Sequence, residues 1–266
     1  MKKHIFIDLD GTLLDFKNSD YIYSSSIKAI QKARQNGHHI YINTGRSKAG
    51  IFKHVLDIGF DGLICGNGAY VEVNQKVLKN EHLNETHVKE LLEFLKEKQA
   101  LFFVETHQGI YSNKAMHQYL KEYVENKPNC FVDSIQPLEN ADLHLTCKVC
   151  VIKSTVPVSY MQERFGDNFI LHDNSNGNYS TNGCELGLLH SSKKDGISII
   201  TKHLNIDHQA TVSIGDGDND LEMIQYANCG IAMGNSKPIL LNHADYITTD
   251  YHHDGIYQAF LYLGVI

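Results

Sequence analysis

The sequence has little proline, no excess of positive charge and no long apolar run, and each absence excludes a class of protein. Only 4 of the 266 residues are proline and 21% are charged, which excludes a disordered, collagen-like or coiled-coil chain. Lysine and arginine number 24 against 31 aspartates and glutamates, a formal net charge of −7. A protein that follows nucleic-acid phosphates needs a basic face, so we expect no nucleic-acid partner. A small anionic substrate held by a few local charges is compatible with this balance.

The apolar stretches are too short for export or membrane insertion. The N-terminal run Ile5–Ile7 is interrupted at once by Asp8, whereas a signal peptide needs an apolar core of about 7–15 residues. No run approaches the roughly 18 apolar residues that span a bilayer. We therefore predict a cytoplasmic protein with no membrane partner. The length of 266 residues predicts one or two domains.

Six cysteines are scattered along the chain, and only Cys147 and Cys150 have a suggestive spacing. A C-x-x-C pair can be redox-active or bind zinc. This pair lies in an apolar, strand-like run, where positions three apart point to opposite faces. No second C-x-x-C completes a four-cysteine site, and no H-E-x-x-H occurs among the 16 histidines. We predict reduced structural thiols, and a solvated surface position for His252 and His253.

The two ends of the chain alternate short apolar strands with helices. The pattern predicts strands at 4–8, 39–43, 61–65, 211–215 and 229–232, and helices at about 24–35, 47–57, 193–204 and 219–227. Continuous apolar strands separated by helices are typical of a parallel sheet covered on both faces. These segments therefore predict a doubly wound α/β domain.

The middle of the chain has a different pattern. Residues 71–78 resemble a hairpin, and Val88, Leu91, Leu92 and Leu95 then recur at helical spacing, with Asn84 as a predicted N-cap. Strand-like runs follow near 101–105, 145–152 and 168–171. We predict an α+β unit inserted at 82–184, which leaves 1–81 and 185–266 as one core domain.

Acidic residues follow two of the predicted core strands. Asp8 and Asp10 end the first strand, and Asp216, Asp218 and Asp220 follow Val212–Ile214. Ligands of open parallel sheets bind at the carboxyl ends of the strands. An EF-hand reading of the second cluster fails, because it needs Gly at the sixth and Glu at the twelfth loop position. Counted from Asp216, those positions hold Leu221 and Ala227.

If both strands belong to one sheet, Asp8, Asp10 and Asp216 meet in a small volume. Two carboxylates about 4 Å apart repel by about 4 kcal/mol at an effective dielectric constant of 20. Three of them therefore need a cation, and a ligand set made only of oxygen selects a hard ion such as Mg²⁺.

Two further segments predict a phosphate site. Thr44, Gly45 and Arg46 follow the second strand and precede a helix, where a hydroxyl and backbone N–H groups can hold phosphate oxygens. Lys193 begins the helix predicted at 193–204, and its ammonium could offset charge on a nucleophile and a transferring phosphoryl group. No G-x-x-x-x-G-K-[ST] loop is present, and we interpret Gly66-Asn67-Gly68 as a simple turn.

At these residues the sequence resembles the haloacid dehalogenase (HAD) superfamily of phosphohydrolases. The four motifs of that family appear in order, and the resemblance covers essentially the whole chain: Asp8-Leu9-Asp10-Gly11-Thr12, Thr44, Lys193 and Gly215-Asp216-Gly217-Asp218-Asn219-Asp220. Supporting stretches include Gly66-Asn67-Gly68-Ala69 and Ile231-Ala232-Met233-Gly234-Asn235. The insertion resembles the C2 cap of the Cof-type (type IIB) branch. The resemblance implies a Rossmann-like, doubly wound parallel core with an inserted α+β cap.

The resemblance also implies a role for each site residue. Asp8 would attack phosphorus and form an aspartyl-phosphate, and Asp10 would protonate the leaving oxygen and then activate water. Mg²⁺ would be held by Asp8, the main-chain carbonyl of Asp10, and Asp216. Phosphate oxygens would be held by Thr44, the amides around Leu9 and Gly45, Lys193 and Asn219. Asp218 and Asp220 would orient Lys193 or metal-bound water, and Arg46 would either reach the substrate or pair with a core carboxylate.

Three functions fit this set of residues. The first is a Mg²⁺-dependent phosphatase of small phosphorylated metabolites, most readily sugar phosphates. The second is a sugar phosphomutase, and the third is an inert phosphate-binding regulatory protein. In the family the cap closes over the substrate, and residues 176–179 are candidates for its lining. The partner expected is a small phosphorylated metabolite, with the chain as a monomer or small homo-oligomer.

Overall fold

The computed structural model describes residues 1–15, 21–124, 135–173 and 182–266. These residues form two compact units. Unit 1 contains Met1–Arg46, Ile51–Asn80 and Ser191–Ile266, and unit 2 contains Ser47–Gly50 and Glu81–His190. Cys130 and the candidate lining at 176–179 lie outside the described residues.

The strands and helices have the following bounds. The strands are β1 His4–Ile7, β2 His39–Asn43, β3 Gly62–Cys65, β4 Tyr70–Val73, β5 Lys76–Asn80, β6 Leu101–Thr106, β7 Ile110–Ser112, β8 Ile135–Pro137, β9 Thr146–Lys153, β10 Ile170–Asp173, β11 Cys184–Gly187, β12 Thr211–Gly215, β13 Cys229–Ala232 and β14 Tyr246–Ile247. The helices are α1 Ser24–Gln35, α2 Lys53–Leu56, α3 Glu85–Glu97, α4 Lys114–Val124, α5 Val158–Phe165, α6 Lys193–Leu204, α7 Leu221–Tyr226, α8 Pro238–Leu241 and α9 Gly255–Tyr262. None of the helices in the described part of the chain is long and apolar enough to cross a bilayer.

Unit 1 is built on a sheet with the order β14-β13-β12-β1-β2-β3-β4-β5. The six strands from β14 to β3 are parallel to one another, and β4 and β5 continue the sheet as an antiparallel hairpin. From β1 the chain adds β2 and β3 on one side and later β12 to β14 on the other. The carboxyl ends of β1, β2 and β12 therefore meet where the strand order reverses, the usual position of a ligand site.

The central strand β1 is buried on both faces, as its continuous apolar run predicts. Ile5 and Ile7 pack in the core that contains Ile30 of α1 and Phe260 of α9. Phe6 points to the other face and belongs to a separate core with residues of α6 and α7. Helices thus cover both sides of the sheet, and the predicted doubly wound α/β core is confirmed.

Unit 2 is an α+β unit whose sheet has the order β10-β11-β9-β6-β7-β8. Its pairings are antiparallel except that of β7 with β8. One face packs against α3 and α5, and Met116 of α4 packs in a second cluster on the other face. The predicted N-cap is confirmed, because the Asn84 side chain accepts hydrogen bonds from the backbone N–H groups of Thr86 and His87.

Two predicted helices are shorter than the sequence indicates. The helix predicted at 47–57 is a 3-10 turn at Lys48–Gly50, a break at Ile51 and Phe52, and the single-turn α2. The Ser47 hydroxyl accepts a hydrogen bond from the Gly50 N–H and caps the 3-10 turn. The break lies at Phe52, whose backbone is extended (φ −63°, ψ 143°) before α2 begins. The helix predicted at 219–227 begins as a 3-10 turn at Asp218–Asp220 before α7. By contrast, the helices predicted at 24–35 and 193–204 are confirmed.

Three predictions outside the site concern the C-x-x-C cysteines, the paired histidines and the hairpin, and the structure confirms each of them. Cys147 and Cys150 are buried free thiols, and His252 and His253 are exposed. The hairpin predicted at 71–78 is confirmed as β4 and β5, with Asn74 and Gln75 at positive φ in its turn.

Candidate active site

The first site loop begins at Asp8, directly after β1. The Asp8 N–H donates to the Ile214 carbonyl at 3.0 Å, which extends the pairing of β1 with β12, and the side chain is buried. Leu9 is buried, and its carbonyl accepts hydrogen bonds from the N–H groups of Leu13 and Leu14. Gly11 follows with a φ of +85°, and a Cβ there would lie 2.3 Å from an Asp216 carboxylate oxygen. Glycine therefore allows the two acidic loops to approach.

The second acidic loop is shaped by Asp220, which is fully buried. Its Oδ2 accepts hydrogen bonds from the N–H groups of Asp216 and Gly217, both at 2.9 Å. The Asp216 side chain in turn accepts from the Thr12 hydroxyl at 3.0 Å and from Asn235 Nδ2 at 3.3 Å. These bonds hold the Asp216 carboxylate beside the end of β1.

Lys193 joins the two loops. It is the first residue of α6, which begins with a capping box formed by Ser192 and Asp195. The buried ammonium lies 2.5 Å from Asp8 Oδ1 and 2.5 Å from Asp220 Oδ1. Burial lowers the pKa of Lys193, but the negative charges of Asp220 and Asp8 outweigh it and raise that pKa above its ordinary value. Lys193 is therefore a permanent cation between two carboxylates.

One lysine does not balance the carboxylates that surround it. Oxygen atoms of Asp8, Asp216 and Asp220 all lie within 4.8 Å of one another. Burial and the charge of Asp220 raise the pKa of Asp8 well above its usual range, and Lys193 offsets only part of this effect. Burial, followed by the charge of Asp220, raises the pKa of Asp216 to about 7. This excess of buried negative charge, on oxygen ligands alone, fits a metal ion.

Thr44 and Gly45 follow β2 at the same edge of the sheet. Thr44 is buried, its N–H donates to the Ile64 carbonyl, and its hydroxyl accepts from the Arg46 N–H at 3.1 Å. A Cβ on Gly45 would lie 3.2 Å from Asn67 Oδ1, so the loop passes close to the turn after β3. The structure thus places both residues at the carboxyl end of the strand next to β1.

Arg46 is paired with Asp10. Its Nε lies 2.7 Å from Asp10 Oδ2, and a terminal guanidinium nitrogen lies 2.5 Å from Asp10 Oδ1. This two-bond geometry is the strongest that an arginine and a carboxylate can adopt. Of the two alternatives for Arg46, the structure shows the pair with a carboxylate. The Asp10 side chain is 37% exposed and stands apart from the three clustered carboxylates.

Of the remaining predicted residues, Asp218 and Asn219 lie at the surface and Asp220 is buried. Asp218 forms an exposed ion pair with Lys237, so its side chain is directed away from Lys193. Asn219 is also exposed, and its Nδ2 donates to Asn67 Oδ1 at 3.1 Å. Asp220 alone of the two predicted orienting aspartates contacts Lys193.

Three site neighbours received no role from the sequence: Thr12, Asn67 and Asn235. Thr12 and Asn235 both bind Asp216, and Asn235 Nδ2 also donates to the Gly11 carbonyl at 2.8 Å. Asn235 follows β13, the next strand beyond β12. Its position after a core strand was a signal that could have identified it, since polar side chains at strand ends converge on one edge.

Comparison with known proteins identifies the family of the chain. Residues 5–260 match the haloacid dehalogenase-like hydrolase family. The chain is 27% identical to YkrA of Bacillus subtilis (strain 168) over 265 residues, 99% of this chain and 98% of YkrA. The 5-amino-6-(5-phospho-D-ribitylamino)uracil phosphatase YcsE of the same organism is 24% identical and covers 97% of this chain and 94% of its own length.

The same family is found among solved structures. A HAD subclass IIB sugar phosphatase has a TM-score of 0.78 and 26% sequence identity, and the match covers 100% of both chains. The resemblance drawn from the motifs, including the Cof-type branch, is therefore confirmed. This chain belongs to the haloacid dehalogenase-like hydrolases and is an enzyme of their phosphatase class.

Proposed function

We propose that the protein is a Mg²⁺-dependent phosphatase that hydrolyses small phosphorylated metabolites, with sugar phosphates as the favoured class. The observation that carries this proposal is the group of three close carboxylates around a single buried lysine. A further cation would offset the excess negative charge of this group, and a cation with a lysine beside it can accept a phosphate. The substrate class is supported by the solved structure named as a sugar phosphatase, which has this fold. YcsE, a relative in sequence, is named as a phosphatase of another small phosphorylated metabolite.

Asp8 is the proposed nucleophile. One carboxylate oxygen would form a bond to phosphorus as the bond from phosphorus to the ester oxygen breaks, which yields an aspartyl-phosphate and an alcohol. Nucleophilic attack requires the ionised carboxylate, whereas burial favours its neutral form. Lys193, at 2.5 Å, stabilises the charged form.

Asp10 is the proposed general acid and base. It would protonate the leaving ester oxygen and then take a proton from the water that hydrolyses the intermediate. The Arg46 guanidinium holds both carboxylate oxygens of Asp10. Arg46 therefore fixes the direction of this carboxylate, and we assign it to Asp10 rather than to the substrate.

The residues present fit Mg²⁺. Asp8 and Asp216, with the main-chain carbonyl of Asp10, would hold the ion, because hard cations prefer carboxylate and carbonyl oxygens. Asp220 supports the site instead, since its two oxygens are already engaged by Lys193 and by backbone N–H groups. When bound, Mg²⁺ would supply positive charge for the transferring phosphoryl group.

The phosphate oxygens would be held by groups from three loops. Thr44, the amides around Leu9 and Gly45, Lys193 and Asn219 are the proposed donors. They come from segments that follow β1, β2 and β12 and from the start of α6. Asp218 is paired with Lys237 at the surface, so we assign it no contact with phosphate.

The test is phosphate release from a panel of metabolite monophosphates, with and without Mg²⁺. We expect hydrolysis only with Mg²⁺, and Asp8→Asn is expected to abolish it without loss of folded protein. Asp57→Asn is the matched control, because Asp57 is an exposed aspartate of unit 1 that pairs with Lys53.

The same panel distinguishes the alternatives. A hexose 1-phosphate converted to an isomeric phosphate without release of inorganic phosphate would identify a phosphomutase. No Mg²⁺-dependent release from any substrate would leave a phosphate-binding protein without catalysis. Activity retained by Asp8→Asn would overturn the proposed mechanism.

A further inference from the structure

The short turn Gly66–Gly68, which follows β3, contacts the loop that carries Thr44. The Asn67 N–H donates to the Thr44 carbonyl at 3.1 Å, and the Gly66 N–H donates to the Arg46 carbonyl at 2.7 Å. Two backbone bonds therefore attach the turn to both ends of the segment Thr44–Arg46.

The other side of the turn contacts the residues before Lys193. The Ser191 hydroxyl donates to the Asn67 carbonyl at 3.2 Å. A Cβ on Gly68 would lie 2.2 Å from the Ser192 carbonyl oxygen, and the φ of Gly68 is +92°. Only glycine permits this approach, so the turn packs directly against the N-cap of α6.

The side chain of Asn67 reaches a third segment. Its Oδ1 accepts a hydrogen bond from Asn219 Nδ2 at 3.1 Å. The backbone of Asn67 is left-handed, with φ 52° and ψ 41°, a conformation that asparagine adopts more readily than most residues. A primary amide has two N–H groups, so the bond to Asn67 orients the Asn219 amide and leaves its second N–H for another acceptor.

We propose that Asn67 is a positioning residue for phosphate binding, which sets the spacing of the Thr44 loop, the start of α6 and the Asn219 amide. The inference rests on the proposed function, because it concerns the same phosphate site. Its basis is that one residue uses its N–H, its carbonyl and its side chain on three different segments. Asn67 makes no reaction step of its own: its backbone holds the Thr44 loop and the residues before Lys193, and its side chain acts through Asn219.

The decisive variant is Asn67→Gly, which permits the left-handed backbone with its bonds to Thr44 and Ser191 and removes the side-chain amide that accepts from Asn219. We expect kcat/KM to fall about tenfold or more, the range for a displaced binding group, and the KI of inorganic phosphate to rise by a similar factor. The matched control is Asn74→Gly, since Asn74 also has a left-handed backbone in a turn of unit 1 (φ 48°) and is exposed. That control is expected to leave both constants within twofold of the parent protein.

A double-mutant comparison separates positioning from a general loss of structure. If Asn67 acts through Asn219, Asn67→Gly combined with Asn219→Ala has the same KI for phosphate as Asn219→Ala alone. Independent, additive losses would overturn the inference. So would an unchanged KI in Asn67→Gly.

Asn67→Asp is the second variant in case the glycine variant does not fold. This variant keeps the acceptor but adds negative charge near the Gly45 loop. The KI for phosphate is therefore expected to rise about tenfold. An unchanged KI would contradict the placement of Asn67. If the parent protein neither hydrolyses phosphate esters nor binds phosphate with Mg²⁺, the proposed function fails and the inference with it. An active parent with an unaffected Asn67→Gly overturns the inference alone.

Discussion

Within the described residues, each unit buries one lysine among carboxylates, and the two clusters differ in how completely their charges are balanced. In unit 1 the buried Lys193 forms ion pairs with Asp8 and Asp220, and the carboxylate of Asp216 lies close to both. In unit 2 the buried Lys148 lies 3.3 Å from Glu105 Oε1 and 3.3 Å from Glu185 Oε2. Both clusters contain a buried lysine and carboxylates, but the groups that surround the carboxylates differ.

The cluster in unit 2 satisfies its most buried carboxylate. Glu105 accepts hydrogen bonds from the Ser47 N–H at 3.1 Å and from the Cys150 thiol at 3.3 Å, in addition to its pair with Lys148. Burial raises the pKa of Glu105, but Lys148 and Ser47 outweigh it, and the pKa lies below its ordinary value. The partially exposed Glu185 can be stabilised by water. The charged form of Glu105 is therefore stabilised by groups of unit 2 itself.

The cluster in unit 1 has the opposite imbalance. Asp8 and Asp216 both have raised pKa values, since burial and the charge of Asp220 exceed the attraction of Lys193. Burying unbalanced carboxylates destabilises a folded protein unless a bound ligand offsets their charge. Carboxylates with strongly raised pKa values therefore indicate a functional site. A buried lysine surrounded by carboxylates therefore does not by itself indicate a catalytic site. An excess of buried carboxylate charge over the charge of the lysine does indicate one.

The largest expected effect is on turnover, and it separates the two lysines. Lys193→Met removes the cation beside the proposed nucleophile, so we expect kcat to fall about 10³-fold, at the upper end for loss of one electrostatic contact. Lys148→Met is expected to retain kcat within about tenfold when rates are normalised to folded protein. The measurement is Mg²⁺-dependent phosphate release for both variants. Equal losses of turnover would remove the distinction between the clusters.

The next effect is on stability and concerns the balanced cluster. Lys148→Met leaves Glu105 buried without its cation, and we expect the free energy of unfolding to fall by about 3–5 kcal/mol, as for other broken buried pairs. Urea unfolding followed by circular dichroism measures this change. The control is Lys89→Met, whose partner Glu85 is exposed, so the free energy of unfolding should change far less than in Lys148→Met. A similar cost for both lysines would show that Lys148 contributes no more than a surface pair.

The sequence was sufficient for the framework of the site because that framework is local. Asp8, Thr44 and Asp216 each follow a short apolar strand, and parallel strands bring their carboxyl ends to one edge. Lys193 begins a helix whose start is encoded by Ser192 and Asp195 three residues apart. The short apolar strands thus predicted the sheet edge, and the helical spacing of apolar residues after Lys193 predicted its position at the start of a helix.

The remaining features depend on side-chain geometry between distant residues. No spacing shows that Arg46 pairs with Asp10, 36 positions away, or that Asp218 is directed to Lys237 instead of Lys193. Gly66-Asn67-Gly68 was correctly interpreted as a turn, but its contacts with three other segments arise only when the sheet forms. The helix expected at 47–57 is interrupted at Phe52, whose extended backbone separates the 3-10 turn from α2.

The smallest effect is a pH dependence of stability whose sign differs between the clusters. In metal-free protein the pKa of Asp216 is raised from 3.8 to about 7, so its contribution to stability is present below pH 3.8 and is lost as pH rises to about 7. The pKa of Glu105 is lowered, so its contribution is present above its unfolded value of 4.5 and is lost as pH falls through the lower folded value.

Asp216→Asn in EDTA is therefore expected to remove a loss of stability between pH 4 and 7, of at most about 1.4 kcal/mol per pH unit. Glu105→Gln should leave that interval unchanged and remove part of the loss below pH 4.5. Unfolding midpoints in urea, measured across this pH range, test both signs. Saturating Mg²⁺ should also stabilise the parent protein near pH 7, because the ion binds the folded state in which Asp216 is ionised. The same slope in all three proteins would mean that the two clusters are electrostatically equivalent, which would remove the argument for a cation at Asp8 and Asp216.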